Sequence, residues 1–208
     1  MCDLTTRVRS FTLFCLGGRG PINLVLLAVP SVAESALVVN VPEAEKYVSG
    51  LREQFDPSAH LGAPAHITLL YPFAEPSEIA APILNRLEAV FSNIASCPFR
   101  LTTPARFTDT LYLTPEPADP FIALTRAIVA RFPRYQPYGG QFVSVVPHLT
   151  VARGSGRDLA FVEQTLSTNL SGHGIEALCR EVVLIENSSG RWRRAHAFSL
   201  PSPANADG

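Results

Sequence analysis

The sequence predicts alternating strands and helices that form two similar lobes, which face each other across a cleft. A Pro-containing His-x-Thr segment occurs twice, as PAHIT at residues 64–68 and as PHLT at residues 147–150. Each copy follows the same kind of unit, a strand that ends in Pro-Glu and then a helical run that ends at a Phe. Internal repetition of this kind implies two related structural units. With 208 residues, of which 47% are hydrophobic and 17% charged, the chain is able to form one compact domain.

Each motif segment is predicted to be a β-strand with one polar and one apolar face. Successive side chains of a strand point to opposite faces, so His66 and Thr68 share a face and Ile67 lies on the other. His148 and Thr150 are related in the same way. A single triplet of this kind is weak evidence of function, because a half-buried strand acquires one by chance. Two copies in matching contexts indicate that both histidines line one cleft.

The first lobe is predicted to begin with a valine-rich strand over Ser35–Val41. Pro42 opens a helix, and Asn40 with Glu43 three residues later is expected to cap it. The apolar stripe of this helix consists of Tyr47, Val48, Leu51 and Phe55. Asp56-Pro57 ends the helix, and a loop leads into the first motif strand.

A second helix is expected to begin at Ser77 and to end before Cys97-Pro98. Its apolar side chains recur at helical spacing and are Ile83, Leu84, Leu87, Val90, Phe91 and Ile94. Two short strands are then predicted, over 99–103 and 105–113, because Pro104 interrupts the run between them.

The second lobe repeats this order. Asp119-Pro120 supplies the N-cap and first-turn proline of a helix that ends at Phe132. Residues 135–140 are rich in Pro, Tyr and Gly, which predicts a loop. The second motif strand is predicted over 141–152, and residues 153–156 turn out of it.

The last elements are a helix and a hairpin. The helix is predicted to begin at Asp158 and to end at Gly172, because apolar residues recur between them at helical spacing. Strands over 181–187 and 191–200 are joined by a Ser-Ser-Gly turn at 188–190, which is typical of a hairpin.

Charge and cysteine content exclude two classes of protein. The net charge is −1 and no run of Lys or Arg occurs, which argues against a broad face for binding nucleic acid. A nucleic-acid ligand would therefore be bound at an end or as a short piece. The four cysteines show no CxxC spacing, so we expect reduced cysteines rather than a disulfide framework.

Residues 1–31 precede the repeat and are interpreted as an N-terminal extension. A single two-lobed domain is predicted over 32–202, and a disordered tail over 203–208. A signal peptide and an extra strand are the alternatives for the extension, because basic residues precede the apolar run at 22–29. That run is too short to span a bilayer as a helix. A chain that begins near Val32 is therefore expected to fold.

The paired histidines suit acid-base chemistry on a phosphodiester. Opening a cyclic phosphodiester requires a base for the attacking oxygen and an acid for the leaving oxygen, and histidine can serve as either near neutral pH. Hydroxyls two residues further on can donate hydrogen bonds to the phosphate oxygens. A metal site is the rival interpretation, but zinc needs three or four ligands and no HxH, HxxE or HxxxH pattern occurs. We therefore predict neither a metal nor a cofactor.

Two further residues are candidates for substrate binding. Arg153 follows the second motif strand and can contact a phosphate, although strand parity places it on the face opposite His148. Tyr112 can stack on a base, as can Phe107 and Tyr138, and packing in the sheet or loop is the alternative for each. Trp192 and the arginines beside it can bind nucleic acid, but an amphipathic last strand explains them better.

Two His-x-Thr strands about 80 residues apart in a chain of this length resemble the 2H phosphoesterase superfamily, in particular its 2'-5' RNA ligase-like branch. The phrases PAHITLLYPF, LYLTPEP and YGGQFVSVVPHLTVAR are similar to bacterial proteins of that branch. The resemblance covers residues 35–200. It implies an α+β fold of two pseudo-symmetric lobes, with antiparallel sheets and flanking helices around a central cleft. It also implies metal-independent chemistry in which His66 and His148 are catalytic and Thr68 and Thr150 bind substrate.

We therefore expect a cytoplasmic, monomeric phosphoesterase that acts on 2',3'-cyclic or 2'-5' phosphodiester bonds of RNA ends or small nucleotides and has no membrane partner. If residues 1–33 were a signal peptide, the protein would be secreted. A nucleotide or RNA-end binding module with little turnover is the alternative, but a pure binder does not need two proton carriers. By resemblance to members that open 2',3'-cyclic phosphates, His148 is expected to be the base and His66 the acid.

Overall fold

The computed structural model describes residues 33–141 and 145–203. The interpretations given for residues 1–31, including the signal peptide and the extra strand, lie outside the described residues. So do residues 142–144 of the predicted second motif strand and most of the predicted tail.

The described residues form an α+β fold in which strands and helices alternate, as predicted. In chain order the elements are β1 (Ser35–Asn40), α1 (Pro42–Phe55), α2 (Pro57–His60), β2 (His66–Leu70), α3 (Ala81–Phe91), β3 (Cys97–Arg106), β4 (Thr110–Glu116), α4 (Asp119–Arg131), β5 (Leu149–Arg153), α5 (Gly156–Leu170), β6 (Ile175–Cys179), β7 (Glu181–Glu186) and β8 (Arg193–Ser199). Short 3₁₀ turns occur at Pro76–Glu78 and Pro137–Gly140. No helix among these elements is both long and apolar enough to cross a membrane.

The strands form one antiparallel sheet in the order β6-β3-β4-β5-β2-β1-β7-β8. The two motif strands, β5 and β2, are neighbours at its centre. The two predicted lobes are therefore halves of one continuous sheet: the His66 half (β2, β1, β7 and β8) and the His148 half (β5, β4, β3 and β6). The helices cross over, since α1 packs on β5 and α4 packs on β2. This exchange follows from a local two-fold axis between the central strands.

The helices cover one face of the sheet and form the main core with it. Alternate residues of the central strands point into this core and are almost wholly buried, as in Ile67, Leu69, Leu149 and Val151. Replacing one of these side chains, for example Leu69, by Ala would cost about 2–5 kcal/mol. The opposite face of the sheet, which we call the open face, carries the remaining residues of each strand. The helix-covered face thus supplies stability and leaves the open face for chemistry.

The predicted capping pair of α1 is wrong. Pro42 does open the helix, but the N-cap is Val41 and makes no side-chain hydrogen bond. Asn40 is the last residue of β1, where pairing with β2 holds it in the sheet. Glu45 instead accepts a hydrogen bond from the Ala65 backbone amide at 2.6 Å, which links α1 to the start of β2.

Pro104 was expected to separate two strands, and this expectation is wrong. β3 continues through it to Arg106, because a register shift between Leu101 and Pro104 accommodates the residue that cannot donate to the ladder. The turn follows β3 at residues 107–109, and β4 begins at Thr110.

Other boundaries also differ. The described part of the second motif strand begins at Leu149, whereas the prediction began it at 141. α3 begins at Ala81 with Pro82 in its first turn, because a 3₁₀ turn occupies the residues after Glu75. α5 begins two residues early, since Ser155 and Asp158 form a capping box around its first turn.

The edge strand β6 was not predicted at all. Its short sequence is not periodic enough to be recognised, and it is a strand because it pairs with β3 over five residue pairs. The closing hairpin of β7 and β8 is confirmed, and its two strands pair from Glu181 and Ser199 to Glu186 and Arg193.

Candidate active site

The two motif strands pair antiparallel at Ile67 and Leu149. Continuing this register by one residue on either side places His66 opposite Thr150 and Thr68 opposite His148. Side chains directly opposite each other have Cβ atoms about 4.5–5.5 Å apart, and diagonal neighbours about 7–8 Å. The two imidazoles are diagonal neighbours on one face and are related by a local two-fold axis. The register therefore brings the two imidazoles close together on the open face.

Burial agrees with the alternation predicted for the two motifs. All four His and Thr side chains are half-buried on the open face. The residues between them are 0% exposed in both strands, namely Ile67 and Leu149. Neither threonine hydroxyl has a hydrogen-bond partner among the described residues, so both can donate to a ligand. The structure thus brings the four motif residues together in one place.

The two imidazoles are held in the same way. Nδ1 of His66 lies 2.7 Å from the carbonyl oxygen of Pro64, and Nδ1 of His148 lies 2.7 Å from that of Val146. A carbonyl oxygen only accepts, so Nδ1 carries the proton in each ring and donates it. In the neutral ring this leaves the lone pair on Nε2, which is the tautomer that a general base requires.

This local hydrogen bond does not by itself define a site. His173 makes the same contact, at 2.8 Å to the carbonyl oxygen of Ser171, while it is exposed and has no threonine two residues on. Burial and the facing motif distinguish His66 and His148 from it.

Burial and nearby cations keep both motif histidines neutral. Burial lowers the pKa of His66 to about 4, and the guanidinium of Arg52 lowers it further than the carboxylate of Asp56 raises it. Burial also lowers the pKa of His148, with help from the Arg153 guanidinium. Protonation of either ring would therefore be favoured by a bound phosphate, whose negative charge opposes these effects.

A buried ionic network lies behind His66. Arg52 and Asp56 are 3% and 1% exposed, and Nη2 of Arg52 donates to Oδ2 of Asp56 at 2.8 Å. The backbone amide and hydroxyl of Ser58 both donate to Oδ1 of Asp56, at 3.0 and 2.8 Å. Ser58 lines a cavity of about 10 Å³ together with His66 and Thr68. Sequence reasoning read Asp56 only as a helix end, although an Arg four residues before an Asp is a recognisable helical pair.

The open face of the His66 half is closed by an apolar cluster, which we call the Trp192 cluster. Its buried members are Ala36, Val38, Ala63, Tyr71, Val183, Ile185 and Trp192. The rings of Tyr71 and Trp192 meet edge to face at 6.4 Å between centroids. Trp192 was expected in an amphipathic last strand, but it precedes β8 and is only 6% exposed. Tyr71 directly follows the end of β2 at Leu70 and belongs to this cluster.

The open face of the His148 half carries aromatic rings that contact the histidine. Tyr112, predicted to bind substrate, lies opposite Thr150 in the register of β4 and β5. Phe107 stacks on Tyr112 with 4.3 Å between centroids and 30° between planes. Both rings also contact His148, with centroids at 5.3 Å from Phe107 and 5.1 Å from Tyr112. We call these two residues the Phe107 platform.

Arg153 and Asn40 lie at the edges of the site. Arg153 is opposite Thr110 at the end of β5, and its charge reaches His148, although a contact of Arg153 with substrate stays a prediction. Asn40 is opposite His66 in the register of β1 and β2, and its buried Oδ1 has no hydrogen-bond partner among the described residues. Sequence reasoning treated Asn40 only as a helix cap. In the described part of the chain, no group of three or more His, Cys, Asp or Glu side chains is arranged to hold a metal ion.

No curated protein sequence matches the chain significantly. The protein TT0787 of Thermus thermophilus has a similar fold, with a TM-score of 0.54 and 16% identity over 82% of this chain and 100% of that one. LigT of E. coli is similar in its complex with 3'-AMP, with a TM-score of 0.51 and 16% identity over 83% of this chain and 100% of that one. Its complex with NADP+ gives a TM-score of 0.50 and 18% identity, over 81% of this chain and 98% of LigT.

The family profile of the 2'-5' RNA ligase superfamily matches residues 41–191, a range that includes both His-x-Thr motifs. This match and the shared fold indicate an enzyme of the 2H phosphoesterase kind. Because the matched range is well over half of the sequence, the chain belongs to the 2'-5' RNA ligase superfamily, within the 2H phosphoesterases.

Proposed function

We propose that this chain is a metal-independent phosphodiesterase that acts on 2',3'-cyclic or 2'-5' phosphodiester bonds of RNA ends or small nucleotides. The observation that carries the proposal is the pair of half-buried imidazoles on one face of the central strands, each with Nδ1 bound to a carbonyl and Nε2 left for substrate. Such a pair offers one group that accepts a proton and one that donates a proton.

The reaction needs both rings. One neutral imidazole removes a proton from the attacking water at Nε2 while the new bond to phosphorus forms. The other, protonated at Nε2, gives its proton to the ribose oxygen as the bond from that oxygen to phosphorus breaks. After one turnover the first ring carries the proton taken from water and the second ring is neutral. Both rings return to their starting states by exchanging protons with solvent before the next turnover.

Thr68 and Thr150 are assigned to the non-bridging phosphate oxygens. Each hydroxyl is half-buried beside the opposite motif's histidine, so both reach the space between the imidazoles. Donors that are already in place stabilise the charge that develops on these oxygens in the transition state. Arg153 adds a positive potential on the His148 side, which favours an anionic substrate.

The ligands of a similar fold support a nucleotide substrate. LigT of E. coli has been solved with 3'-AMP and with NADP+. Both compounds are small nucleotides, and 3'-AMP has the kind of monoester that opening of a cyclic phosphate would produce. The near-neutral charge of this chain agrees with a short ligand rather than a long polyanion.

The test is turnover of a defined panel in the presence of EDTA. The panel contains 2',3'-cyclic nucleotides, 2'-5' linked dinucleotides and RNA with a cyclic phosphate end. We expect the wild type to open at least one of them with chelator present, and the double variant His66→Ala/His148→Ala to open none. His173→Ala is the matched control, because it removes a histidine with the same local hydrogen bond outside the site.

Two outcomes would contradict the proposal. Activity that disappears with EDTA and returns with a divalent ion would identify a metallohydrolase. Tight binding of the panel without turnover by the wild type would favour the binding module, which keeps the cleft but not the chemistry.

A further inference from the structure

The open face is asymmetric about the two histidines. The position opposite the motif threonine holds Val38 in the His66 half and Tyr112 in the His148 half. Around Val38 the Trp192 cluster fills the surface, and the remaining cavity of about 10 Å³ is the size of one water molecule. No nucleoside fits into this cavity.

The His148 half has apolar surface that the described residues leave exposed. Phe107 is 41% exposed although it stacks on Tyr112, and Val146, whose carbonyl holds His148, is also 41% exposed. These are two of the four large hydrophobic residues that are exposed in the described part of the chain. Phe107 contacts the His148 ring and the Val146 carbonyl holds it, so both exposed residues adjoin a catalytic candidate.

Building on the proposed function, we propose that Phe107, supported by Tyr112, stacks on the base of the nucleotide that carries the scissile phosphate, so that the nucleoside occupies the His148 side of the site and water the His66 side. An aromatic ring that is already fixed by a second ring loses little freedom when a base stacks on it. Because every base has an apolar face, this contact recognises nucleotides without selecting one base strongly.

The placement of the nucleoside assigns a role to each histidine. Attack on a cyclic phosphate occurs opposite the ribose oxygen that leaves. With the ribose beside Phe107, His148 faces the leaving oxygen and gives it the proton from Nε2, while His66 takes the proton from water. Buried Arg52 lowers the pKa of His66 more than Asp56 raises it. This favours the neutral ring that a base needs and agrees with the assignment. It reverses the order that family resemblance implies.

The inferred substrate class follows from the same asymmetry. The Phe107 platform provides a place for one nucleoside, which suits a terminal nucleotide with a 2',3'-cyclic phosphate. A 2'-5' linked dinucleotide would need a place for a second nucleoside beside His66, where the Trp192 cluster closes the surface. We therefore expect cyclic-phosphate substrates to be the better ones by kcat/KM.

The experiment compares Phe107→Ala with Phe161→Ala. Phe161 is 57% exposed and contacts Phe55 away from the site, so its replacement is the matched control. Each variant is assayed with a cyclic nucleotide and with ribose 2,3-cyclic phosphate, which has no base. We expect Phe107→Ala to raise KM for the nucleotide roughly 10- to 100-fold and to leave KM for the base-free compound unchanged. Phe107→Trp should restore nucleotide binding, and Phe161→Ala should change neither substrate.

Binding of 3'-AMP, a monoester of the kind that opening of a cyclic phosphate yields, is measured by calorimetry and separates this inference from the proposed function. Weaker binding to Phe107→Ala in a protein that turns nothing over would support the platform and refute the enzyme. Turnover with equal loss on both substrates, or no loss on either, would refute the platform and leave the enzyme in place. Equal loss on both substrates would mean that Phe107 positions His148, and no loss would mean that Phe107 is a surface residue without a role in binding.

Discussion

The two halves of the molecule share a backbone plan and differ in what surrounds each histidine. Each half places a His-x-Thr strand at the centre, with the same local hydrogen bond to the imidazole. In the first half, Arg52 stands three residues before the Phe at the end of the helix, and Asp56 directly follows that Phe. The corresponding residues of the second half are Val129 and Pro133. Among the residues that the structure describes, a buried ion pair therefore lies behind His66 and none lies behind His148.

This difference matters because the proposed reaction is itself asymmetric. A base must be neutral and an acid protonated at the same moment, so two equivalent imidazoles would share each role inefficiently. Buried charge behind one ring and exposed aromatic surface beside the other make the two sides distinct. A symmetric repeat supplies two proton carriers in register, and side chains that are not repeated make them unequal.

The largest expected effect is on turnover when either histidine is removed. General acid-base assistance contributes about 10²–10⁴-fold per group, so His66→Ala and His148→Ala should each lose at least about 100-fold in kcat. Because the two rings act as a unit, the double variant should be little worse than either single variant. Near-full turnover by one single variant on every cyclic phosphate would show that the halves do not cooperate.

A modified substrate tells the two losses apart. When the leaving oxygen of the cyclic phosphate is replaced by sulfur, departure no longer needs an acid, since a thiolate is a far weaker base than an alkoxide. The sulfur substrate should then restore turnover to His148→Ala and not to His66→Ala. The opposite pattern would return the base to His148.

The next effect is on stability and is confined to the His66 half. Asp56→Asn leaves the buried Arg52 guanidinium without its counter-charge, which should cost about 3–5 kcal/mol in the free energy of unfolding. Glu181→Gln breaks a pair with Arg194 whose side chains are 35% and 56% exposed, and should cost less than about 1 kcal/mol. Urea unfolding of both variants measures the difference. Equal losses would mean that the buried network contributes no more than a surface pair.

Stability should also depend on pH through His66. Its pKa is about 4 in the folded protein and about 6.5 when unfolded, so the unfolded state binds the proton first as the pH falls. Stability is therefore retained above pH 6.5 and decreases towards pH 4, by up to about 3 kcal/mol from this group. Unfolding titrations of the wild type and His66→Gln should diverge over that range. A difference in stability between the two proteins that is the same at all pH values would show that the pKa of His66 is not lowered by folding.

The smallest expected effect concerns Arg153 and the His148 half. Since burial and charge lower the pKa of both histidines, kcat/KM should be greatest on the acid side of pH 6.5 and should form a bell. Arg153→Gln removes one cause of the low pKa of His148, so the alkaline limb should move to higher pH while the acid limb stays. A shift of the acid limb instead would mean that His148 is the base.

The sequence by itself determined the symmetric part of this protein. The repeat predicted the alternation of strands and helices and the shared face of His66 and Thr68, because alternation along a strand depends only on neighbouring residues. The direct pairing of the two motif strands was not predicted and is seen only in the structure. Strand lengths were less accurate at Pro104, where a register shift lets β3 continue, and before Leu149, where the described part of β5 begins. The edge strand β6 could not be predicted, because its partner β3 is far away in the chain.

Only the tertiary structure decided the asymmetric part. Trp192 reaches the His66 half from the turn before β8, and Phe107 reaches His148 from the turn between β3 and β4. Arg52 was visible as a charged residue of an amphipathic helix, yet its burial beside Asp56 depends on how α1 packs on the sheet. Contacts between residues far apart in sequence leave no local period to detect. The features that make the two histidines unequal are therefore properties of the packed molecule.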